Sequence, residues 1–481
     1  MNLYGTGIEN LSFLSDTPNF QERKKNIDNS QRIKEPKQQL ASVQQEVQDL
    51  QSQKQQTIND QQSPLNQLQQ LSNITFPNSP AKVEAYQTIL MNNLAEEELQ
   101  KLLNKQTEVL KLEEHIERSR YPNQNAIINF EELEKVFSNV SVAKEWYKNP
   151  FPMRKNFQLV KRGEIEPFFD GRQCRKRYKK FWDGVEYDPE VIKFQSTQTS
   201  RAGASLMSFS EGLFNGYGPL DTCKSQPIYY WNLPREQDDT LSMFTSCQRW
   251  NETVNTNNPS RDEQIYLYGN KTLAPIAKRI SKDYHISPPL DPLLVPFMFT
   301  NCQYWLTVYN RTDAWCSLLS PKELLLSRYY WDLDFYYRLS YGSPLNLQIG
   351  CRYITQLVNG VEGYLYGNST VIADLKNAHG FSMTMILTTL GLFKNEYPLT
   401  GNLTFEQIQN LEYTEYKIIH WSSTIYFEIY KCSGNHVYIR ILLDFKPFYI
   451  PGCGEYCEWN KFKKILGDKI GCDYEKLCAY P

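Results

Sequence analysis

The first 173 of the 481 residues contain no cysteine, and no stretch of eighteen apolar residues occurs anywhere. The first absence confines any disulfide to the later two thirds of the chain. The second excludes a transmembrane helix of ordinary length. The opening MNLYGTGIENLSFLSDT lacks the basic, then apolar, then small-residue order of a signal peptide, so no signal peptide is visible. An excess of either charge is also missing. The 52 basic and 54 acidic residues leave a net charge of -2, which gives no global field toward nucleic acid or an anionic membrane. No nucleic-acid partner is expected.

What is present is the material of a packed protein, 41% hydrophobic and 14% aromatic, at a length that allows two or three domains. All eleven cysteines lie between Cys174 and Cys478, and the last four, Cys453, Cys457, Cys472 and Cys478, fall in a loop-rich tail. That spacing contains no C-x-x-C pair and no accompanying histidines, which favours disulfides over zinc. Glycosylation sequons begin at Asn10, Asn73, Asn139, Asn251, Asn270, Asn310, Asn368 and Asn402. In so asparagine-rich a chain any one sequon can arise by coincidence. Sequons and cysteines together predict a glycoprotein of the secretory pathway or an extracytosolic lumen.

Residues from about 21 to 72 are polar and Gln-rich, as in KQQLASVQQEVQDLQSQKQQTINDQQ, with almost no aromatic side chains to build a core. Leu40, Val43, Val47 and Leu50 follow coiled-coil spacing for about two heptads, so both a linker or surface helix and a coiled coil stay open. Residues 80 to 105 read as an amphipathic helix with Val83, Tyr86, Leu90, Leu94 and Leu102 on one face. From residue 107 strands and helices alternate. Strands are expected at Val109 to Ile116, Val191 to Ser196, Thr370 to Leu375, Thr424 to Cys432 and Val437 to Asp444. The last two are joined by a hairpin turn at Ser433-Gly434-Asn435-His436. Helices are expected at 130 to 147, 163 to 182, 201 to 214, 320 to 340 and 382 to 393. Tyr229 to Trp231 and the aromatics of YYWDLDFYY are expected in the core. The pattern is that of an α/β fold. Its organisation reads as an arm at 1–106, an α/β core at 107–214 and 366–481, and a mostly helical cap insertion at 215–365.

Several blocks, in order, carry a resemblance. They are Tyr187-Asp188-Pro189, then IKFQSTQTSRAGASLMSFSEGLFNGYGPL from Ile192, then Asp238-Asp239 with FTSCQRW. WCSLLSPKELLLSRYYWDLDFYYRLSYGSPLN from Trp315, AHGFSMTMILTTLGLF from Ala378 and the tail PGCGEYCEWNKFKKI follow. From residue 107 onward the chain resembles the multiple inositol polyphosphate phosphatases of branch 2 of the histidine phosphatase superfamily. The resemblance implies a histidine-phosphatase core sheet with flanking helices, a helical cap and a phosphate pocket between them. No cofactor and no metal are expected. In that family the histidine of an R-H-G-x-R-x-P motif attacks phosphorus, and the glutamate of an H-A-E motif protonates the leaving alcohol. Such chemistry needs a neutral imidazole, cations around the phosphate oxygens and an acid.

At the first motif this chain reads Ile116-Glu117-Arg118-Ser119-Arg120-Tyr121-Pro122. Ile116 stands at the first arginine, Glu117 at the nucleophile, and Arg118 at a glycine whose bare backbone would approach phosphate. Arg120 matches, as does Arg201 of Ser196-Thr197-Gln198-Thr199-Ser200-Arg201. The second motif keeps His379 but has Gly380 and Phe381 in place of the alanine and the acid. A carboxylate at Glu117 repels a phosphate charge about 4 Å away by about 4 kcal/mol at an effective dielectric of about 20, or about three orders of magnitude in affinity. His115 lies two residues earlier, roughly 6 to 7 Å along a strand, too far for in-line attack without a register shift.

The expectation is a catalytically inactive or strongly impaired pseudophosphatase with a binding or structural role and no intact catalytic residue. Arg120, Arg201 and His379, with the helix N-terminus near Ser382, remain as candidate ligands for phosphate or an inositol polyphosphate. Two blander readings stay open: Arg120 and Arg201 paired with Glu117, and His379 capping its helix. The basic run Arg172, Arg175, Lys176, Arg177, Lys179 and Lys180 reads either as a pocket rim or as a solvated helical face. The N-terminal arm is a candidate contact for a protein partner. The alternative function is an active phosphomonoesterase on inositol polyphosphates or 2,3-bisphosphoglycerate.

Overall fold

The computed structural model describes residues 132–138, 140 and 158–480, apart from 221, 223 and 421. All of them lie in the second of the two units into which the chain divides, Asn104–Pro481. The expected arm, the amphipathic helix at 80 to 105 and the strand at Val109 to Ile116 fall outside the described residues. Of the helix expected at 130 to 147, residues 132–138 and 140 are described, and 132–137 are helical.

The longer elements begin with α1 (Lys161–Arg177) and the single turn α2 (Lys179–Trp182). The sequence predicts one helix over 163 to 182, but Tyr178 leaves helical geometry at φ -99° and ψ 36°. Tertiary contacts account for the break. The Tyr178 hydroxyl donates to Glu428 at 2.6 Å, and its ring packs on Tyr426 and Phe445. Strand β1 (Ile192–Ser196) follows, then helix α3 (Ser200–Phe214).

Helices α1 and α3 cross with their backbones touching. A Cβ on Gly171 would lie 2.0 Å from the Phe209 carbonyl oxygen, and one on Gly212 would lie 1.9 Å from that of Phe168. Glycine is required there for close approach. Apolar residues of this part, including Trp182, Phe194, Leu206 and Phe214, form one core. Tyr229 and Tyr230, expected in the core, are exposed. The backbone around them explains it: Trp231 bridges to Gln195 on β1, and the Tyr229 amide and carbonyl bond the Tyr187 hydroxyl, leaving the rings outside.

Between residues 243 and 365 the described elements are helical. The chief ones are α4 (Pro259–Tyr268), α5 (Ala274–Asp283), α6 (Val295–Tyr309), α7 (Pro321–Leu339) and α8 (Cys351–Leu365). Helix α7 starts where its sequence dictates, with Ser320 and Glu323 in a reciprocal capping box and Pro321 in the first turn. Its aromatic segment is largely interior, with Tyr329 and Leu333 fully buried. Tyr268 meets Tyr329 edge to face at 5.0 Å.

Strand β2 (Ala373–Asn377) then pairs in parallel with β1, in register from Ile192 with Ala373 to Ser196 with Asn377. The strand expected at Thr370 to Leu375 is thus displaced toward the C-terminus. Register with β1 decides this, and the Thr370 hydroxyl bonds the Glu190 carbonyl ahead of the ladder. Helix α9 (Gly380–Thr389) starts two residues earlier than expected and stops before Gly391, which takes φ +81°.

The expected hairpin is present as β3 (Ile425–Lys431) and β4 (Val437–Leu443), with Gly434 at φ +75° in the turn. Strands β5 (Lys446–Phe448) and β6 (Cys457–Glu458) also pair with β4. Helix α10 (Trp459–Leu466) buries Trp459, Phe462 and Leu466. The expected disulfides form as Cys247–Cys478, Cys302–Cys316, Cys351–Cys472 and Cys453–Cys457. Among the described residues no helix is long and apolar enough to cross a membrane.

Candidate anion-binding site

Because β1 and β2 are parallel, the chain leaves both at the same edge, with Ser196 beside Asn377. The Thr197 amide donates to the Asn377 carbonyl at 3.0 Å, holding the two exits together. The Asn377 side-chain amide donates to the Ala202 carbonyl at 2.9 Å. Each exit runs into a helix, α3 from Ser200 and α9 from Gly380. Two helix N-termini therefore converge at the carboxyl ends of parallel strands, where unpaired amides and helix dipoles favour an anion.

Arg201 in the first turn of α3 and His379 at the start of α9 meet there. Arg201 Nη2 lies 3.3 Å from His379 Nδ1, and Thr197 Oγ1 lies 3.1 Å from His379 Nε2. A guanidinium has no acceptor, so Nδ1 accepts, Nε2 carries the proton, and Nε2–H donates to the threonine hydroxyl. His379 occupies the N-cap position, but its side chain makes no capping bond. The helix-capping reading of this histidine is therefore corrected: the ring turns toward Arg201.

Phe381, where the resemblance expects the acid, is enclosed by aromatic neighbours. Its ring centroid lies 5.4 Å from that of Phe244 and 5.5 Å from that of Phe335, both edge to face. The Arg338 guanidinium stands 5.1 Å from the same ring, with its edge tied to Asp334 at 2.9 Å and Asn255 at 3.0 Å. Phe244 also packs edge to face on the His379 ring at 5.7 Å. At Gly380 an added Cβ would come within 3.1 Å of Ile419. The Ser382 hydroxyl is buried and donates to the Leu241 carbonyl. The Leu241 backbone N–H in turn donates to Asp238 Oδ1 at 2.8 Å, and burial raises that carboxyl above the ordinary range.

Ile116, Glu117, Arg118 and Arg120 lie outside the described residues, and so does His115. The basic run is divided by the structure. Arg175 stacks at 3.5 Å over the Tyr217 ring and donates to the Leu213 and Trp182 carbonyls, while Arg177 faces Glu428. These two tie α1 to its neighbours. Arg172, Lys176, Lys179 and Lys180 are exposed.

A second polar cluster lies between α1 and the hairpin, around a cleft of about 310 Å³ that includes Glu166, Asp170, His420 and Asp444. His420 Nε2 is 2.7 Å from Asp444 Oδ2. Burial, then the Asp444 and Glu166 charges, push the Asp170 carboxyl up to about 7, and His420 opposes the shift. Among the described residues no group of histidine, cysteine and carboxylate side chains is arranged to hold a metal ion.

The sequence pattern of the histidine phosphatase superfamily (branch 2) matches residues 118–444. The chain belongs to that superfamily. The multiple inositol polyphosphate phosphatase 1 of Dictyostelium discoideum is 26% identical over 425 residues, covering 75% of this chain and 66% of the relative. The thiamine-repressible acid phosphatase SPBC21H7.03c of Schizosaccharomyces pombe is 25% identical over 297 residues, covering 62% of each. The chain thus spans just under two thirds of the length of these relatives. In fold it is similar to the phytase from D. castellii, with a TM-score of 0.61 at 16% identity over 75% of this chain and 79% of that one. It is also similar to the multiple inositol polyphosphate phosphatase of Bifidobacterium longum in complex with inositol hexasulfate, with a TM-score of 0.54 at 12% identity over 67% and 82%.

Within this histidine-phosphatase fold, the structure brings Arg201 and His379 into contact. Thr197, Phe244 and Arg338 were not singled out. Thr197 lies inside the Ser-Thr-x-x-x-Arg segment, so its position was a usable signal. Phe244 and Arg338 reach the site only through folding.

Proposed function

We propose that this chain is a non-catalytic member of the superfamily, a pseudophosphatase that binds phosphate or an inositol polyphosphate without hydrolysing it. The observation that carries the reading is the setting of Phe381. The resemblance aligns Phe381 with the proton donor, and an apolar ring, packed here by Phe244, Phe335 and Arg338, cannot protonate a leaving alcohol. Glu117 at the nucleophile position adds charge repulsion against a bound phosphate. Support for binding comes from Arg201 and His379 at two converging helix N-termini. The Bifidobacterium longum phosphatase, whose fold is similar, is known in complexes with inositol hexasulfate and with phosphate. An extracytosolic compartment belongs to the same reading and is supported by the four disulfides. The Gln-rich arm is the segment assigned to a protein partner.

The test pairs two measurements on the purified chain: phosphate release from phytate and calorimetry with inositol hexakisphosphate. Binding without release is expected. Turnover at rates like those of active relatives would overturn the proposal and favour the second reading, an active phosphomonoesterase on inositol polyphosphates or 2,3-bisphosphoglycerate. The intact Thr197, Arg201 and His379 constellation is the observation that keeps that reading in play.

A further inference from the structure

We propose that the cleft between α1 and the hairpin is a second ligand site, one that takes a small organic cation, an ammonium on an apolar stem, with Asp170 as its counter-charge. The α1 side is legible in the sequence. Glu166, Phe169, Asp170 and Gln173 follow the i, i+3, i+4, i+7 spacing that places side chains on one helical face. The other side comes from the chain reversals at the open end of the hairpin, where Ser422, Asp444 and Phe445 take positive φ of 61°, 49° and 62°. These residues line one cleft of about 310 Å³, at the small end of ligand pockets, which run from about 300 to 1,000 Å³.

The charges in the cleft are one cation short. Glu166 is answered by Arg162 Nε at 2.7 Å. Asp444 is answered by His420 Nε2 at 2.7 Å and by the Thr424 amide, which donates at 2.8 Å. Asp170 has neither kind of partner: among the described residues no N–H or O–H donates to its carboxyl, and no lysine or arginine pairs with it. A half-buried carboxylate in that position carries a desolvation cost that a cationic ligand removes. The walls select the kind of cation. Phe169 is 56% exposed, so its ring is open to a ligand, and Phe445 is held in place by stacking on Tyr426 at 4.5 Å. Rings beside a carboxylate suit an ammonium carried on an apolar body, through cation–π attraction and burial of the stem. A metal ion does not fit, because among the described residues these side chains are not arranged to hold one.

The groups that face Asp170 are Glu166 and Cys174 from its own helix, His420 ahead of β3, Tyr426 on β3 and Asp444 after β4. Arg177, 5.3 Å from the Phe445 ring, is turned to Glu428 at 4.0 Å. Burial, then the Asp444 and Glu166 charges, push the Asp170 carboxyl up to about 7, against His420. An ammonium binds the ionised form, so its apparent affinity rises about tenfold from pH 6 to pH 8, the ratio of the ionised fractions at those values.

The cleft is independent of the phosphate site, so failure of either reading leaves the other intact. To test it, the full chain is titrated calorimetrically with phenethylammonium at pH 6 and pH 8, and with the uncharged analogue 2-phenylethanol. The ammonium is expected to bind, more tightly at pH 8, and the alcohol is not. Asp170→Asn keeps the shape of the side chain and should weaken binding about 10- to 100-fold, as for the loss of one hydrogen bond to a charged group. Phe169→Ala, at a largely exposed ring, should weaken it about 2- to 5-fold and gives a readout if Asp170→Asn does not fold. A lysine side chain of a partner protein offers the same chemistry as a free amine. Nα-acetyl-lysine amide in a parallel titration separates the two sources, and binding of either supports the site. No binding of either amine at pH 8 would overturn the proposal. Equal affinity in Asp170→Asn, equal binding of the alcohol, or calcium binding that Asp170→Asn abolishes would do the same.

Discussion

Arg201 Nη2 donates to His379 Nδ1 at 3.3 Å across the ends of two parallel strands, from residues 178 positions apart in the chain. The contact gives the imidazole a fixed tautomer and sets a permanent cation beside it. In a phosphate pocket such a pair orients one group while supplying charge from the other.

If that pair holds an anion, Arg201→Ala weakens inositol hexakisphosphate binding by about 10- to 100-fold, the worth of one charge-assisted hydrogen bond of about 1.5–3 kcal/mol. Arg201→Lys keeps the charge without the planar fork and recovers part of the loss. Calorimetry on the three proteins checks this, and identical dissociation constants would remove Arg201 from the binding site.

On the proposed pseudophosphatase reading, an acid at position 381 does not by itself confer catalysis. Phe381→Glu is expected to release no phosphate from phytate above background if Glu117 stands at the nucleophile position, as proposed. Loss of the ring contacts with Phe244 and Phe335 costs about 2 kcal/mol, below the range for a fully buried phenylalanine because this ring is half-buried. Chemical denaturation reads the second effect and a phosphate-release assay the first. Turnover in the single variant would refute the assignment of Glu117.

The α1–α3 crossing positions the helix that carries Arg201. Gly212→Ala places a methyl group 1.9 Å from the Phe168 carbonyl oxygen, and backbone rather than a flexible side chain must move. A loss of about 1–3 kcal/mol is expected, read as a lower denaturant midpoint. Gly216→Ala, with nothing within 4 Å of its added Cβ, tests backbone strain at φ +84° without a clash and should cost less.

Asp170 makes the clasp between α1 and the hairpin dependent on pH. Its carboxyl is raised from 3.8 to about 7 by burial and by Asp444 and Glu166, with His420 acting in the opposite sense. The folded state therefore holds a proton that the unfolded chain has lost. That stabilisation is fully present below about 3.8 and disappears as pH rises through about 7. Other carboxylates titrate at the acid end, so the useful comparison is between pH 5 and pH 8. The denaturant midpoint should fall over that interval, and Asp170→Asn should flatten the fall. An equal slope in both proteins would exclude Asp170 as the source.

Much of the architecture was legible because it is written locally. The hairpin was found within one residue at each end, since alternating β-branched and aromatic residues flank a turn with glycine at positive φ. The capping box at Ser320 and Glu323 starts α7 where the sequence says it should. Strand β2 was misplaced because its limits come from register with β1, and a helix expected through residue 182 breaks at Tyr178 for the sake of Glu428. Tyr229 and Tyr230 mislead because aromatic character alone does not say which side of a backbone bridge a ring occupies.

By itself the sequence determined the order of the motif blocks, the presence of Arg201 and His379, and a phenylalanine at position 381. These are matters of residue identity and spacing. Only the tertiary structure decided that His379 faces Arg201 rather than capping its helix, that Phe381 is enclosed by Phe244, Phe335 and Arg338, and which cysteines pair. The physical reason is sequence distance. Phe244 and Phe335 lie 137 and 46 residues from Phe381, and contacts of that span are fixed by how the sheet and helices pack, a property that no local pattern encodes.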